Sequence, residues 1–246
     1  MPTPFLSIII PAYNEEHRLS KTLEQVVEYL RQQTYQAEVL VIDNASEDRT
    51  YEMAQAFART KSTPTLPILA IQESKRGKGA AVKRGMLEAH GEYRFMCDAD
   101  LSMPVTEIHR FLPPELNNFD IAIASRETPG ARRYNEPAYR HLVGRLFNTL
   151  IRVLALPALQ DTQCGFKCFQ SEAAERLFSR MTIRGWSFDV EILFLARKYG
   201  YRVVEIPIPW YFNPESHIRV LQDSFQMALD IFKIRMNGIT NKYEHV

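Results

Sequence analysis

The chain has 246 residues, 46% of them hydrophobic, and a formal net charge of +1. That is enough apolar material for one substantial α/β core, and the near-neutral charge removes any global electrostatic case for nucleic acid. Cys97, Cys164 and Cys168 are too few and too irregular for a disulfide framework or a zinc set, which points to a reducing compartment.

Leu6-Ser7-Ile8-Ile9-Ile10 reads as a buried strand stopped by Pro11. Arg18 to Gln33 then carries helical spacing through Leu19, Leu23, Val26, Val27 and Leu30. Glu38 to Ile42 is the next strand, ended by Asp43-Asn44. A helix follows from about Asp48 to Arg59. Ser46 is its N-cap candidate, although Arg49 stands where a capping box needs Glu or Gln. A strand at Ile68 to Ile71, a helix from about Lys78 to His90 and a strand through Phe95-Met96-Cys97 into Asp98 complete this run. The alternation predicts a mostly parallel sheet with helices on both faces, in which ligands collect beyond the carboxyl ends of the strands. Past Asp120 to Ser125 the pattern changes. Residues 126–136 are polar and aperiodic, a loop. Ala138 to Leu156 is an amphipathic helix, with ordinary docking and a membrane-surface role both open. His217 to about Met236 is a further helix. There is no repeat or linker, so one domain over 1–246 is expected. No apolar stretch approaches the roughly 20 residues that span a bilayer, and Leu6 to Ile10 is too short for a signal peptide.

Three polar clusters fall at predicted strand ends. Asp98 and Asp100, spaced i and i+2, can aim into one cleft, where unpaired acids would repel. A divalent cation carrying a diphosphate satisfies them, because hard oxygen ligands suit Mg²⁺ or Mn²⁺; two solvated turn acids are the plainer reading. Pro11-Ala12-Tyr13-Asn14-Glu15 could pack against a nucleobase, or simply start a helix. Asp43 can accept from a base N–H. Gly77-Lys78-Gly79 lacks Walker spacing, so its glycines permit a tight helix start, while Lys78 can approach a diphosphate or the base. Asp189 and Glu191 read as helix-capping, solvated acids, with Trp186, Phe188 and Leu193 packing the core. Trp210, Tyr211 and Phe212 read as core, with an acceptor groove as the other assignment. His90, His109 and His141 show no ligand spacing.

In this order, Ser7 to Glu15, Val41-Ile42-Asp43, Gly77-Lys78-Gly79 and Asp98-Ala99-Asp100 resemble glycosyltransferase family 2, the inverting enzymes of the GT-A fold. Ser125-Arg126, Asp161-Thr162-Gln163-Cys164-Gly165-Phe166-Lys167, Phe188 to Leu193 and Val204 to Trp210, followed by Ser216 and Arg219, resemble its polyprenyl- and dolichyl-phosphate sugar synthases. The Asp161 to Lys167 run is closer to the β-glucosyl branch than to the mannosyl enzymes. The resemblance covers nearly the whole chain. It implies a GT-A (Rossmann-like) sheet with C-terminal amphipathic helices, a nucleotide-sugar half to about residue 125 and an acceptor half beyond. Pro11, Ala12, Tyr13, Glu15, Asp43, Lys78 and Asp98 would bind a nucleotide-sugar donor, with UDP-glucose favoured. Asp98 and Asp100 would hold Mg²⁺ or Mn²⁺. Asp100, Asp161 and Arg126 would form the catalytic set, with Asp161 orienting the sugar or assisting the acceptor, and Arg140 and Arg219 would grip a polyprenyl phosphate. Two departures stand out. Some mannosyl relatives place a glutamine ligand where this chain has Ser102. Eukaryotic glucosyl relatives carry an N-terminal anchor, whereas this chain is expected to sit peripherally on the inner face of the membrane, in the cytoplasm. A GDP-mannose donor, a soluble acceptor and a non-catalytic nucleotide-sugar sensor stay open. Sugar-1-phosphate nucleotidyltransfer fits less well, since the loop after the first strand has no glycine.

Overall fold

Long aliphatic runs set the architecture. In the computed structural model of the chain, which describes residues 3–213 and 220–244, β1 (Leu6–Ala12), β2 (Ala37–Asp43), β3 (Ile68–Gln72) and β4 (Tyr93–Cys97) are joined by α1 (Leu19–Arg31), α2 (Thr50–Lys61) and α3 (Lys78–Glu88). Along β1, Ile8 and Ile10 enter one core while Ile9 enters the other. A strand buried on both faces needs no polar alternation, which is why it reads as a solid apolar run. α1 and α2 cover the first face through Leu19, Leu23, Val26, Ala54 and Phe57. α3 covers the second through Ala81, Val82 and Met86.

β1 does not stop at Pro11; it runs on to Ala12. Its ladder to β4 ends at Ile9–Met96, while its ladder to β2 continues to Ala12–Asp43. Pro11 thus lies where the strand has a neighbour on one side only, and its missing N–H costs little there.

After β4, a 3-10 helix (Val105–Phe111) leads to β5 (Ile121–Ser125), β6 (Arg132–Tyr134) and α4 (Ala138–Leu154). Then come β7 (Phe166–Gln170), α5 (Ser171–Arg180), α6 (Phe188–Lys198), β8 (Val203–Pro207), β9 (Pro209–Tyr211) and α7 (Val220–Ile239). The main sheet has the order β3-β2-β1-β4-β7-β5-β8. Only β7 is antiparallel to its neighbours, inserted between β4 and β5. The segment 126–136 is not wholly loop, because β6 pairs with β9 in a small parallel ribbon.

Candidate active site

The loops after β1 and β2 are fastened to each other. Asn14 and Ala45 both take positive φ, 54° each, which turns the chain sharply enough for side chains to cap the facing backbone. Asn14 N–H donates to Ser46 Oγ at 3.0 Å, and Glu47 N–H donates back to Asn14 Oδ1 at 2.9 Å. Glu15 N–H reaches Thr50 Oγ1 at 2.7 Å. Ser46 therefore serves the first loop and not α2, whose first turn takes Asp48 Oδ1 on Thr50 N–H at 2.9 Å. Ala12 is buried, and its carbonyl accepts from Asn44 N–H at 2.8 Å. Pro11 and Tyr13 are half-buried, and the Arg76 guanidinium lies 5.8 Å from the Tyr13 ring centroid. Glu15 is buried and ion-paired with Arg18. Asp43, at the end of β2, is 1% exposed, and its Oδ1 has no hydrogen-bond partner among the described residues. A buried carboxylate oxygen left that way is costly unless a ligand donates to it.

Asn44 carries the arrangement onward. Its side-chain amide donates to Lys75 O at 2.9 Å and accepts from Gly77 N–H at 2.7 Å. Gly77 has φ +125°, and a Cβ there would lie 2.2 Å from Arg184 O. Only glycine lets the start of α3 sit so close to the segment before α6. The result places Lys78 Nζ 2.6 Å from Asp98 Oδ1 and 5.4 Å from the Trp186 ring centroid. Burial is the largest single influence on Lys78 and opposes its charge, but Asp98, Asp189 and Asp100 together raise its pKa.

Asp98 and Asp100 follow β4 and are both half-exposed. Asp100 Oδ1 accepts from Ser102 N–H at 3.0 Å, so the residue two beyond supports this acid through its backbone. Gly165 packs directly on Asp98: a Cβ there would fall 1.8 Å from Asp98 Oδ2. The Asp98 N–H also donates to Gly165 O at 3.2 Å. In the sequence Gly165 stands within the Asp161 to Lys167 motif without a role of its own. Its role becomes visible only once β7 is seen to lie against β4. Among the described residues no group of three or more His, Cys, Asp or Glu could hold a metal. Two carboxylates are nevertheless the protein share that Mg²⁺ takes when diphosphate oxygens and water fill the remaining positions.

The same run begins at Asp161, which meets Arg126 just beyond the end of β5. Asp161, 2% exposed, accepts from Arg126 Nε at 2.7 Å, Arg126 Nη2 at 2.9 Å and Arg126 N–H at 3.0 Å. Burial alone would raise the Asp161 pKa, but Arg126 overcomes that and brings it down to about 2. Glu205, another residue with no sequence signal of its own, accepts from the N–H groups of Gln160 and Asp161, each at 2.9 Å. Arg126 also lies 5.4 Å from the Trp210 ring centroid, with Arg133 at 5.8 Å. Trp210 is half-buried, while Tyr211 is 44% exposed and stacked on Tyr134, so this stretch is not simply core.

Asp189 and Glu191 are buried, at 4% and 0% exposure, and are not solvated helix acids. Asp189 Oδ1 is 2.6 Å from Lys167 Nζ. Burial outweighs the two nearby lysines and raises its pKa. Glu191 accepts from Thr182 N–H and Oγ1, Ile183 N–H and Tyr243 O–H at 2.6–2.9 Å. It fixes the segment whose Arg184 carbonyl meets Gly77. His90 faces Glu38, and His141 faces Glu136. Arg140 lies on α4, but its side chain is outside the described residues, as is all of Arg219.

The family model described as Glycosyl transferase family 2 matches residues 7–178. A dolichyl-phosphate beta-glucosyltransferase of Dictyostelium discoideum is 32% identical over 94% of this chain and 74% of its own length. The protein of the same name from Homo sapiens is 31% identical over 98% and 78%. Among solved structures, glucosyl-3-phosphoglycerate synthase from Mycobacterium tuberculosis in complex with UDP superposes with a TM-score of 0.65 at 17% identity, over 94% of this chain and 78% of that one. The same enzyme with Mn²⁺ and UDP-glucose gives 0.62 at 18% identity, over 95% and 78%. These structures speak to the fold.

Proposed function

Because this chain belongs to glycosyltransferase family 2 and has its GT-A fold, we propose that it transfers glucose from UDP-glucose to a polyprenyl or dolichyl phosphate, with inversion to a β-linked lipid-phosphate sugar. The observation that carries this reading is the convergence on one sheet edge of an unsatisfied buried carboxylate at Asp43, the Lys78–Asp98 pair and the Arg126–Asp161 pair. The names of the relatives favour the lipid-phosphate acceptor and glucose.

Asp43 Oδ1 accepts from the donor base N–H, and Tyr13 offers its ring to the base. Asp98 and Asp100 would hold Mg²⁺ or Mn²⁺, which would supply positive charge to the leaving diphosphate. Lys78 adds a fixed cation on the same side. An acceptor phosphate oxygen attacks the anomeric carbon from the opposite face, the bond to the UDP oxygen breaks, and its electron pair leaves with UDP. That phosphate is already ionised at neutral pH, so no strong base is needed. A carboxyl held near pKa 2 would be a poor one. Asp161 is therefore better read as the group that orients Arg126 toward phosphate than as one that takes a proton. Arg140 and Arg219 complete the grip on the acceptor. The nucleotide half runs to about residue 125, and the enzyme works peripherally on the inner face of a membrane.

The test is UDP release from UDP-glucose with Mn²⁺, measured with no acceptor, with a short polyprenyl phosphate and with 3-phosphoglycerate. Release stimulated only by the lipid phosphate is expected. Release stimulated only by 3-phosphoglycerate would replace the lipid acceptor with a soluble one.

A further inference from the structure

A helix on the outside of a water-soluble fold ordinarily turns polar residues outward, and α7 does not. Its inner side is occupied: Met227, Ile231 and Ile234 are buried, the last two within the core of the second sheet face. On the outer side Leu229, Phe232, Met236 and Ile239 are 50%, 69%, 42% and 71% exposed. They recur at steps of three and four residues and so form one stripe. α4 packs against α7 and adds Val153 and Leu154, 75% and 44% exposed. Most large apolar side chains exposed among the described residues thus sit on two touching helices. Such clustering marks an interaction surface, whereas single exposed apolar residues do not.

The exposed charges on these two helices, among the described side chains, have one sign. Arg145 and Arg152 on α4, and Lys233 and Arg235 on α7, are exposed. α4 has no acidic residue. Asp230, the acid of α7 whose side chain is described, is buried and bonded to Gln226 at 3.1 Å. An apolar stripe flanked by cations complements an anionic lipid surface, with the stripe at the acyl boundary and the cations among the headgroups. No helix among the described residues is long and apolar enough to cross a membrane. The stripe is about 15 Å long at 1.5 Å per residue, which suits lying in the interface. α4 also leads directly into the site, and Asn148 donates to the carbonyl of Gln160, next to Asp161.

Resting on the lipid-phosphate reading above, we propose that α7 and the last turn of α4 form the face on which this protein docks to an anionic bilayer, bringing the Arg126–Asp161 side of the cleft to the headgroup layer. The test uses the purified chain without nucleotide or acceptor. It is co-sedimented with vesicles of phosphatidylcholine alone, and of phosphatidylcholine with roughly one third phosphatidylglycerol. The wild type should favour the anionic vesicles. Phe232→Ser with Ile239→Ser should weaken binding about ten-fold or more, and Lys233→Glu with Arg235→Glu should remove the preference for anionic lipid. Both double variants should keep wild-type turnover of a water-soluble short-chain prenyl phosphate, since none of these residues is in the site. Vesicle binding that follows these variants while no protein uses the prenyl phosphate would support the face and refute the acceptor reading. Equal vesicle binding by wild type and variants would overturn the face. A wild-type dimer in light scattering that the Phe232/Ile239 variant dissolves would overturn it too, by assigning the stripe to a second copy of the chain.

Discussion

At the scale of single residues, the candidate site depends on what stands behind its acids. Gly165 has no side chain to offer, yet its backbone lies where any Cβ would displace the Asp98 carboxylate. Gly165→Ala should therefore weaken UDP binding in the presence of Mn²⁺ by about ten-fold, the usual scale for disturbing the support of a metal ligand. Metal-free UDP affinity should be unchanged. Calorimetric titration with and without Mn²⁺ separates the two, and an unaltered Mn²⁺ increment would contradict the role. The Arg126–Asp161 pair makes a different prediction. The folded Asp161 pKa of about 2 lies below its ordinary 3.8. Its stabilisation is thus complete above the unfolded value and disappears as pH falls through about 2. Asp161→Asn, which leaves a half-buried guanidinium without its charge partner, should cost about 3 kcal/mol at pH 6. The gap from wild type should narrow as urea unfolding is repeated from pH 4 towards 2. A gap independent of pH would mean that the pair does not hold that proton off.

At the scale of elements, the proposed donor side is held by a relay that starts at Tyr243. Tyr243 donates to Glu191, and Glu191 holds the Thr182–Ile183 backbone. The next carbonyl, of Arg184, accepts from Ala80 N–H at 3.1 Å in the first turn of α3. Glu191→Ala leaves several buried donors unsatisfied and should cost about 3 kcal/mol or more, with a raised KM for UDP-glucose. Tyr243→Phe removes one bond and should cost about 1 kcal/mol. Thermal unfolding orders the two, and a neutral Glu191→Ala would break the relay. Elements also explain what the sequence discloses. β1, β2, β3 and β4 are legible because each holds at least three consecutive apolar residues (Ile8 to Ile10, Val39 to Ile42, Ile68 to Ile71, Phe95 to Cys97), and the ends of β1, β2 and β4 carry the three polar clusters. β7 is not legible as a strand. Lys167 interrupts its apolar pattern and is tolerated because Asp189, on a helix further along the chain, pairs with it at 2.6 Å and the Cys164 carbonyl accepts from it at 2.5 Å. Glu191 is misread for a related reason, since the groups that bury it come from the segment before its helix and from the chain's end.

At the scale of the whole molecule, the proposed donor and acceptor sides are joined through one sheet. β7 lies between β4 and β5, so the run from Asp161 to Lys167 touches Arg126 at one end and Asp98 near the other. Family motifs disclose that these residues belong together. They do not disclose that the link is an antiparallel strand, nor that α4 and α7 expose an apolar face. A division of labour follows: Arg140→Ala should lower use of the lipid acceptor by about ten-fold, the scale of one charge-assisted phosphate contact, and leave UDP affinity unchanged. Parallel acceptor kinetics and nucleotide titration check it, and a selective loss of UDP binding would refute the split. The most direct measurement incubates the purified protein with Mn²⁺ and a short polyprenyl phosphate, supplies UDP-glucose or GDP-mannose, and reads the lipid product by mass spectrometry. A hexosyl-phospholipid from UDP-glucose alone is the result expected. Product from GDP-mannose alone would contradict the donor, and no lipid product from either would contradict the transfer itself.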